Sequence, residues 1–364
     1  MRKWILRILI GIGVLVLVLV GAVFWTDADT TILSGHTQNE NLQTVKPGWP
    51  GTPVDQKGRF INDEFPFLPK TISLLRWQTS RNRFKEEKEA DTARLEVKNP
   101  AEFLNSSQDG ILWLGHASFL VRLDGKSILI DPIFGKPPFV TRYVDVPSPL
   151  DDIRHVDYIL LSHDHRDHTD ETTLKQLAQR FPDAVFLAGL GSEELLIAWK
   201  SPTNRVQTAG WFQQFDTADA GLRFFFVPVR HWARRGLFDM NERLWGGFVI
   251  QSSNATIYFG GDSGYGRHYK QVGELFPQID YFLIGIGAFE PRWFMEPVHN
   301  SPQDALAAFN DSAAKTLVPM HYGTFDLSDE PPGMPLKILM AEAEKMGLSD
   351  KIKTLTINES LEIK

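Results

Sequence analysis

Within six consecutive positions, His163-Asp164-His165-Arg166-Asp167-His168, stand three imidazoles and two carboxylates, just past an apolar run from Val156 to Leu161. Neutral imidazole and carboxylate are the ligands of zinc and related divalent ions. An extended H-x-H-x-D-H loop can direct His163 and His165 to one ion while Asp167 and His168 reach a second. The chain has ten histidines in 364 residues, so three this close argue for a site rather than a solvated loop. Cysteine is absent. That removes thiolate ligands, thiol nucleophiles and disulfides, and leaves any metal to His and carboxylate.

Three later residues extend the set. His231 follows the apolar run Leu222 to Val229, Asp262 follows Thr256 to Gly260, and His321 follows Thr316 to Met320. Each run reads as a strand, as does Val156 to Leu161. Functional groups gathered at strand ends are how open sheets build sites, so these segments are expected to converge at one edge. His163, His165 and His231 would then hold one ion, Asp167, His168 and His321 the other, with Asp262 bridging both. Two ions roughly 3.5–4 Å apart clamp a shared hydroxide and lower its pKa toward neutrality. They also offset charge building on a phosphoryl or carbonyl oxygen under attack. Gly260-Gly261 before Asp262 permit close backbone approach.

Other residues carry weaker signals. Asp131, at the end of the strand Ser127 to Ile130, is placed to orient a ligand histidine, because outer carboxylates fix imidazole tautomers. His116, in Gly115-His116-Ala117, reads equally as a structural histidine and as part of the site. His299 shares a loop with Glu290, Arg292, Trp293 and Phe294 and reads as a substrate contact. Arg166, Arg234 and Arg235 could neutralise an anionic substrate. Trp232, Phe238, Trp245, Phe289, Trp293 and Phe294 could form an apolar approach, although about half are expected in the core.

The elements that must position these groups form a mixed α/β pattern. Ile111 to Leu114, Ser118 to Leu123 and Ser127 to Ile130 read as strands with a hairpin turn at Asp124-Gly125. Glu171 to Phe181, Ser192 to Trp199, Pro302 to Phe309 and Pro335 to Met346 read as helices. The stretch from Arg76 to Arg94 is charged and partly helical, with no chemistry assigned. Upstream, Ile8 to Trp25 holds no charge, and about 20 apolar residues span a bilayer as a helix. Arg2, Lys3 and Arg7 before it place the N-terminus in the cytoplasm and the catalytic domain outside. The expected organisation is an anchor (or signal peptide) at 1–27, a tether at 28–65 and one folded domain at 66–364. Net charge of −7 and a pI of about 5.8 oppose a broad nucleic-acid surface.

The motif His163 to His168, with His231, Asp262 and His321 in order, resembles the metallo-β-lactamase superfamily. That resemblance implies an αββα sandwich. Within the superfamily the chain looks most like the N-acyl-phosphatidylethanolamine-hydrolysing phospholipase D family. The likeness is carried by Trp113-Leu114-Gly115-His116-Ala117, Leu129-Ile130-Asp131-Pro132-Ile133-Phe134, Gly261-Asp262-Ser263-Gly264-Tyr265 and Glu290-Pro291-Arg292-Trp293-Phe294-Met295. It implies two Zn²⁺ on the seven ligands, with Asp167, Asp262 and His299 at the chemistry. Arg166, His299, Trp293 and Phe294 would contact a phospholipid, with phosphatidate and an N-acylethanolamine as products. Arg166 and Val298 depart from the family pattern and leave the head group open. The rival readings are a lactonase or carboxylic-ester hydrolase on the same fold, and a binding module without turnover.

Overall fold

The computed structural model describes residue 4 and residues 32–144, 149–199, 205–217, 219 and 221–363. The expected membrane span at 8–25 lies outside them. Among the described residues no helix is long and apolar enough to cross a membrane.

Two seven-stranded sheets carry the structure. One orders Ser360–Glu362, Gly110–Gly115, Ser118–Leu123, Lys126–Ile130, Tyr158–Leu161, Val185–Gly189 and Val206–Ala209. The other orders Thr316–Met320, Tyr281–Gly285, Thr256–Phe259, Gly247–Gln251, Arg223–Val227, Gln213–Gln214 and Gln43–Thr44. Parallel neighbours need a crossover connection, and among the described residues four of the five parallel steps are bridged by α-helices. Helices Glu171–Arg180 and Ser192–Ala198 serve the first sheet, His268–Leu275 and Pro302–Ser312 the second.

One apolar cluster joins Trp113, Phe119 and Val121 of the first sheet to Phe226, Phe248 and Phe259 of the second. A second cluster packs Leu112, Leu120 and Ile159 against Leu174, Leu177 and Leu196 of the covering helices. The layers are therefore helix, sheet, sheet, helix, a mixed α/β sandwich. Strands Tyr158–Leu161, Arg223–Val227, Thr256–Phe259 and Thr316–Met320 all release their chains toward the residues singled out above.

The expected tether is a correction. Leu33–Thr37 pairs with Thr52–Asp55, and Gln43–Thr44 joins the second sheet beside Gln213–Gln214. Thr52, Asp55, Phe60, Ile61 and Asn62 are buried. Between its paired strands a distant side chain satisfies part of its backbone. Gln213 Nε2 donates to the Asn39 and Leu42 carbonyls at 2.8 and 3.2 Å. The charged stretch downstream forms two helices, Thr71–Thr79 and Lys85–Ala90. Gly191, in left-handed backbone at φ 83°, holds the N-cap position of helix Ser192–Ala198.

Candidate metal centre

Asp262 lies at the middle of the site. Its Oδ2 stands 3.2 Å from His168 Nε2 and 3.1 Å from His321 Nε2. It is also 3.9 Å from His163 Nε2 and 4.0 Å from His231 Nε2. On one side, His165 Nδ1 lies 2.9 Å from His163 Nε2 and 3.1 Å from His231 Nε2. On the other, Asp167 Oδ2 lies 3.7 Å from His168 Nε2 and 3.8 Å from His321 Nε2. All seven candidate ligands thus converge in the two expected groups around one carboxylate. Gly261 makes the approach possible: its φ is +56°, and a Cβ there would stand 2.8 Å from the Gly246 carbonyl oxygen.

Outer residues decide which imidazole nitrogens face inward. His168 Nδ1 donates to Asp131 Oδ2 at 2.8 Å. The Ser162 hydroxyl donates to the same oxygen at 2.5 Å, so its own oxygen accepts from His163 Nδ1 at 2.9 Å. His231 Nδ1 donates to the Val298 carbonyl at 3.0 Å. A neutral imidazole that donates through Nδ1 presents a lone pair at Nε2. The inward Nε2 atoms of His163 and His231, whose pKa values burial lowers well below the ordinary range, are therefore lone pairs, and His168 turns the same nitrogen inward. Asn62 fixes His231 further, donating to its carbonyl at 2.7 Å and accepting from its N–H at 3.1 Å. His116 Nε2 meets Asp167 Oδ2 at 3.1 Å. Three of these residues hold left-handed backbone, His116 at φ 53°, Asp131 at 40° and His321 at 62°, a conformation that clusters at functional sites.

This donor set fits a cation. Buried His168 Nε2, His321 Nε2 and Asp262 Oδ1 have no hydrogen-bond partner, a costly state for buried polar atoms. Burial opposes charge on His168, yet the Asp262 and Asp167 carboxylates raise its pKa well above the ordinary range. Burial likewise opposes both carboxylates, yet His168 holds them well below theirs. The cluster calls for positive charge between its carboxylates, which a divalent ion supplies. Three imidazoles with a carboxylate, and two imidazoles with two carboxylates, are donor sets suited to zinc and its neighbours.

Above the centre opens a cavity of about 200 Å³. Its floor includes His165, Asp167, Asp262 and His321, and its wall Phe67, Leu74, Trp77, Trp232 and Phe294. His299 lines it with Nδ1 3.9 Å from Asp262 Oδ2, and burial lowers its pKa to about 4. Of the expected contacts, His299 and Phe294 line the cavity, while Trp293 and Arg166 do not. Trp293 is 45% exposed with the Arg76 guanidinium over its ring. Arg166 is exposed and donates to the Arg235 carbonyl at 3.3 Å. Of the remaining aromatics, Trp245 and Phe289 are core and Phe238 is exposed.

The β-lactamase superfamily domain matches residues 126–322 of this sequence. The chain belongs to the metallo-β-lactamase superfamily. It is 30% identical over 276 residues to N-acyl-phosphatidylethanolamine-hydrolyzing phospholipase D 1 of Caenorhabditis elegans, covering 72% of this chain and 78% of that one. A metal-dependent hydrolase of Pyrobaculum aerophilum is 30% identical over 227 residues, 61% of this chain and 88% of the relative. Among solved structures, a metallo hydrolase of Ignicoccus hospitalis shares the fold with a TM-score of 0.53 at 21% identity, over 70% of this chain and 97% of that one. The protein is a metal-dependent hydrolase of the metallo-β-lactamase fold.

Two parts of this metallo-β-lactamase site escaped the sequence reading. Ser162 is one: it links Asp131 to His163, so a single carboxylate orients a histidine in each group. The only sequence signal was a hydroxyl directly before the motif. Ser162→Ala is expected to weaken metal binding by roughly 10–100-fold, the usual effect of losing such an orienting partner, while Ser162→Thr keeps the hydroxyl and the affinity. Competition with a chelating indicator measures this; equal affinity in the alanine variant would contradict it. The other is the wall formed by Phe67, Leu74 and Trp77, from residues assigned to no site. Trp77 stacks on Phe294 with centroids 5.1 Å apart, and its Nε1 donates to Asp329 at 2.9 Å.

Proposed function

We propose that this protein is a membrane-anchored, two-zinc phosphodiester hydrolase of phospholipase D type. Its substrate would be N-acyl-phosphatidylethanolamine or a related phospholipid, cleaved to phosphatidate and an N-acylethanolamine. The observation that carries this reading is the cavity, which joins a His and Asp floor to an apolar wall of Phe67, Leu74, Trp77 and Phe294. A lipid phosphodiester has the same two parts, a charged group and acyl chains. The likeness to the nematode phospholipase supports the same class.

Bound ions would supply an acidified water as nucleophile and a sink for phosphoryl charge. His163, His165 and His231 would hold one ion and Asp167, His168 and His321 the other, with Asp262 shared. Asp131 and Ser162 hold the Nδ1 edges of His168 and His163, so that Nε2 of each ring faces inward. With its pKa near 4, His299 is neutral at pH 7 and can donate one hydrogen bond to a substrate oxygen beside Asp262. The apolar wall excludes water from the phosphodiester and receives the chains beside it. The stretch Ile8 to Trp25 would keep the domain at the surface where such a substrate resides.

The test is a lipid panel incubated with full-length protein in mixed micelles containing zinc. Phosphatidate and N-acylethanolamine released in equal amounts are the expected result. Rapid lactone or ester opening without phosphatidate would replace this reading with the carboxylic-ester one. Binding without any turnover would leave only a binding module.

A further inference from the structure

Helix Thr71–Thr79 has no buried residue, yet it carries apolar side chains on two opposite faces. Residues three apart share a helix face. Leu74 and Trp77 turn inward and line the cavity. Ile72 and Leu75 turn outward, 48% and 47% exposed. Exposed Trp293 continues the outer patch, because the Arg76 guanidinium lies 4.6 Å over its ring. The helix is held to the body by polar links at one side: Trp77 to Asp329, Asn82 to the Asp329 carbonyl, and Arg83 to Glu290.

The charge of this segment runs against the rest of the molecule. Between Phe65 and Arg83 stand Lys70, Arg76, Arg81 and Arg83 and no carboxylate, in a chain of net charge −7. All four cations are exposed. An apolar helix face flanked by cations is the pattern of segments that lie in the interface of an anionic bilayer.

We infer that the outer face of helix Thr71–Thr79, with Trp293, docks on an anionic lipid surface and sets the cavity mouth against it. Ile72, Leu75 and Trp293 enter the apolar margin of the leaflet, and Lys70, Arg76 and Arg81 meet its phosphates. A substrate chain then passes from the leaflet along Leu74 and Trp77 without crossing water. This deepens, and rests on, the reading of the substrate as a phospholipid.

The absence of cysteine makes the test direct. Leu75→Cys gives the full-length chain one attachment point for an environment-sensitive dye, and Ser253→Cys, exposed in the turn between Gly247–Gln251 and Thr256–Phe259 at the strand ends away from Asp262, gives a control. Both are reconstituted in phosphatidylcholine vesicles with or without phosphatidylglycerol, each containing a spin-labelled quencher lipid. Quenching at position 75 is expected to be several-fold stronger with phosphatidylglycerol and to weaken with salt, since each cation near an anionic leaflet adds roughly fivefold to partitioning. Position 253 stays unquenched. Quenching at 75 no greater than at 253, or equal in neutral and anionic vesicles, overturns the proposal. So does a dye already shielded in neutral vesicles with the Leu75→Cys chains cross-linking to each other, which would assign the face to a second copy. Quenching does not depend on turnover, so a chain that docks but releases no phosphatidate refutes the substrate reading alone.

Discussion

Asp262→Asn is expected to lose bound metal and turnover together. The carboxylate Oδ2 lies within 4.0 Å of inward nitrogens from His163, His168, His231 and His321. Asparagine keeps the volume but removes the charge, and its NH₂ cannot ligate an ion. Both groups of ligands then lose their common member. The loss in metal affinity should exceed the roughly 10–100-fold that follows removal of an outer partner. Metal analysis after gel filtration and a phosphodiesterase assay read the two quantities on one sample. Full turnover in the variant would contradict the shared role of Asp262, whichever substrate proves to be natural.

Arg243→Met should have the largest effect on stability. Arg243 Nε donates to Asp164 Oδ2 at 2.7 Å and its Nη2 pairs with Asp239. Asp164 sits inside the histidine loop with its side chain 1% exposed. Its other carboxylate oxygen accepts from the Arg234 N–H at 2.9 Å, so the residue ties this loop to the one after His231. Removing one partner of a buried ion pair costs about 3–5 kcal/mol because the other charge stays desolvated and unpaired. Denaturant unfolding should show a shifted midpoint at unchanged slope. A shift under ~1 kcal/mol, the usual worth of an exposed pair, would mean that Asp164 finds water or another partner.

The chemistry was more legible in the sequence than the walls around it. His163, His231, Asp262 and His321 stood out because each follows an apolar run, and a strand end is a local feature. Asp131 was readable for the same reason. Helix Thr71–Thr79 was not, since its partners Glu290, Phe294 and Asp329 lie more than 200 residues away in the chain and leave no local period. Within Leu33–Asp55 the segment from Asn39 to Thr44 was hidden likewise, because its backbone bonds go to the Gln213 side chain and to the strand edge at Gln213–Gln214. Aromatic composition misled in a particular way. Trp245 and Phe289 are core, Phe238 and Trp293 are surface, and only Trp232 and Phe294 of the six reach the cavity. Hydrophobicity alone does not distinguish a core face from a mouth.

A metal titration addresses the centre most directly. Full-length protein is stripped with a chelator, zinc is added back stepwise, and bound metal and phosphodiester turnover are followed together. Two ions per chain, with turnover rising to completion as the second binds and Asp262→Asn holding neither tightly, is the expected result. Saturation of activity at one ion per chain, or turnover that survives complete removal of metal, would contradict a centre built from two ligand groups around Asp262.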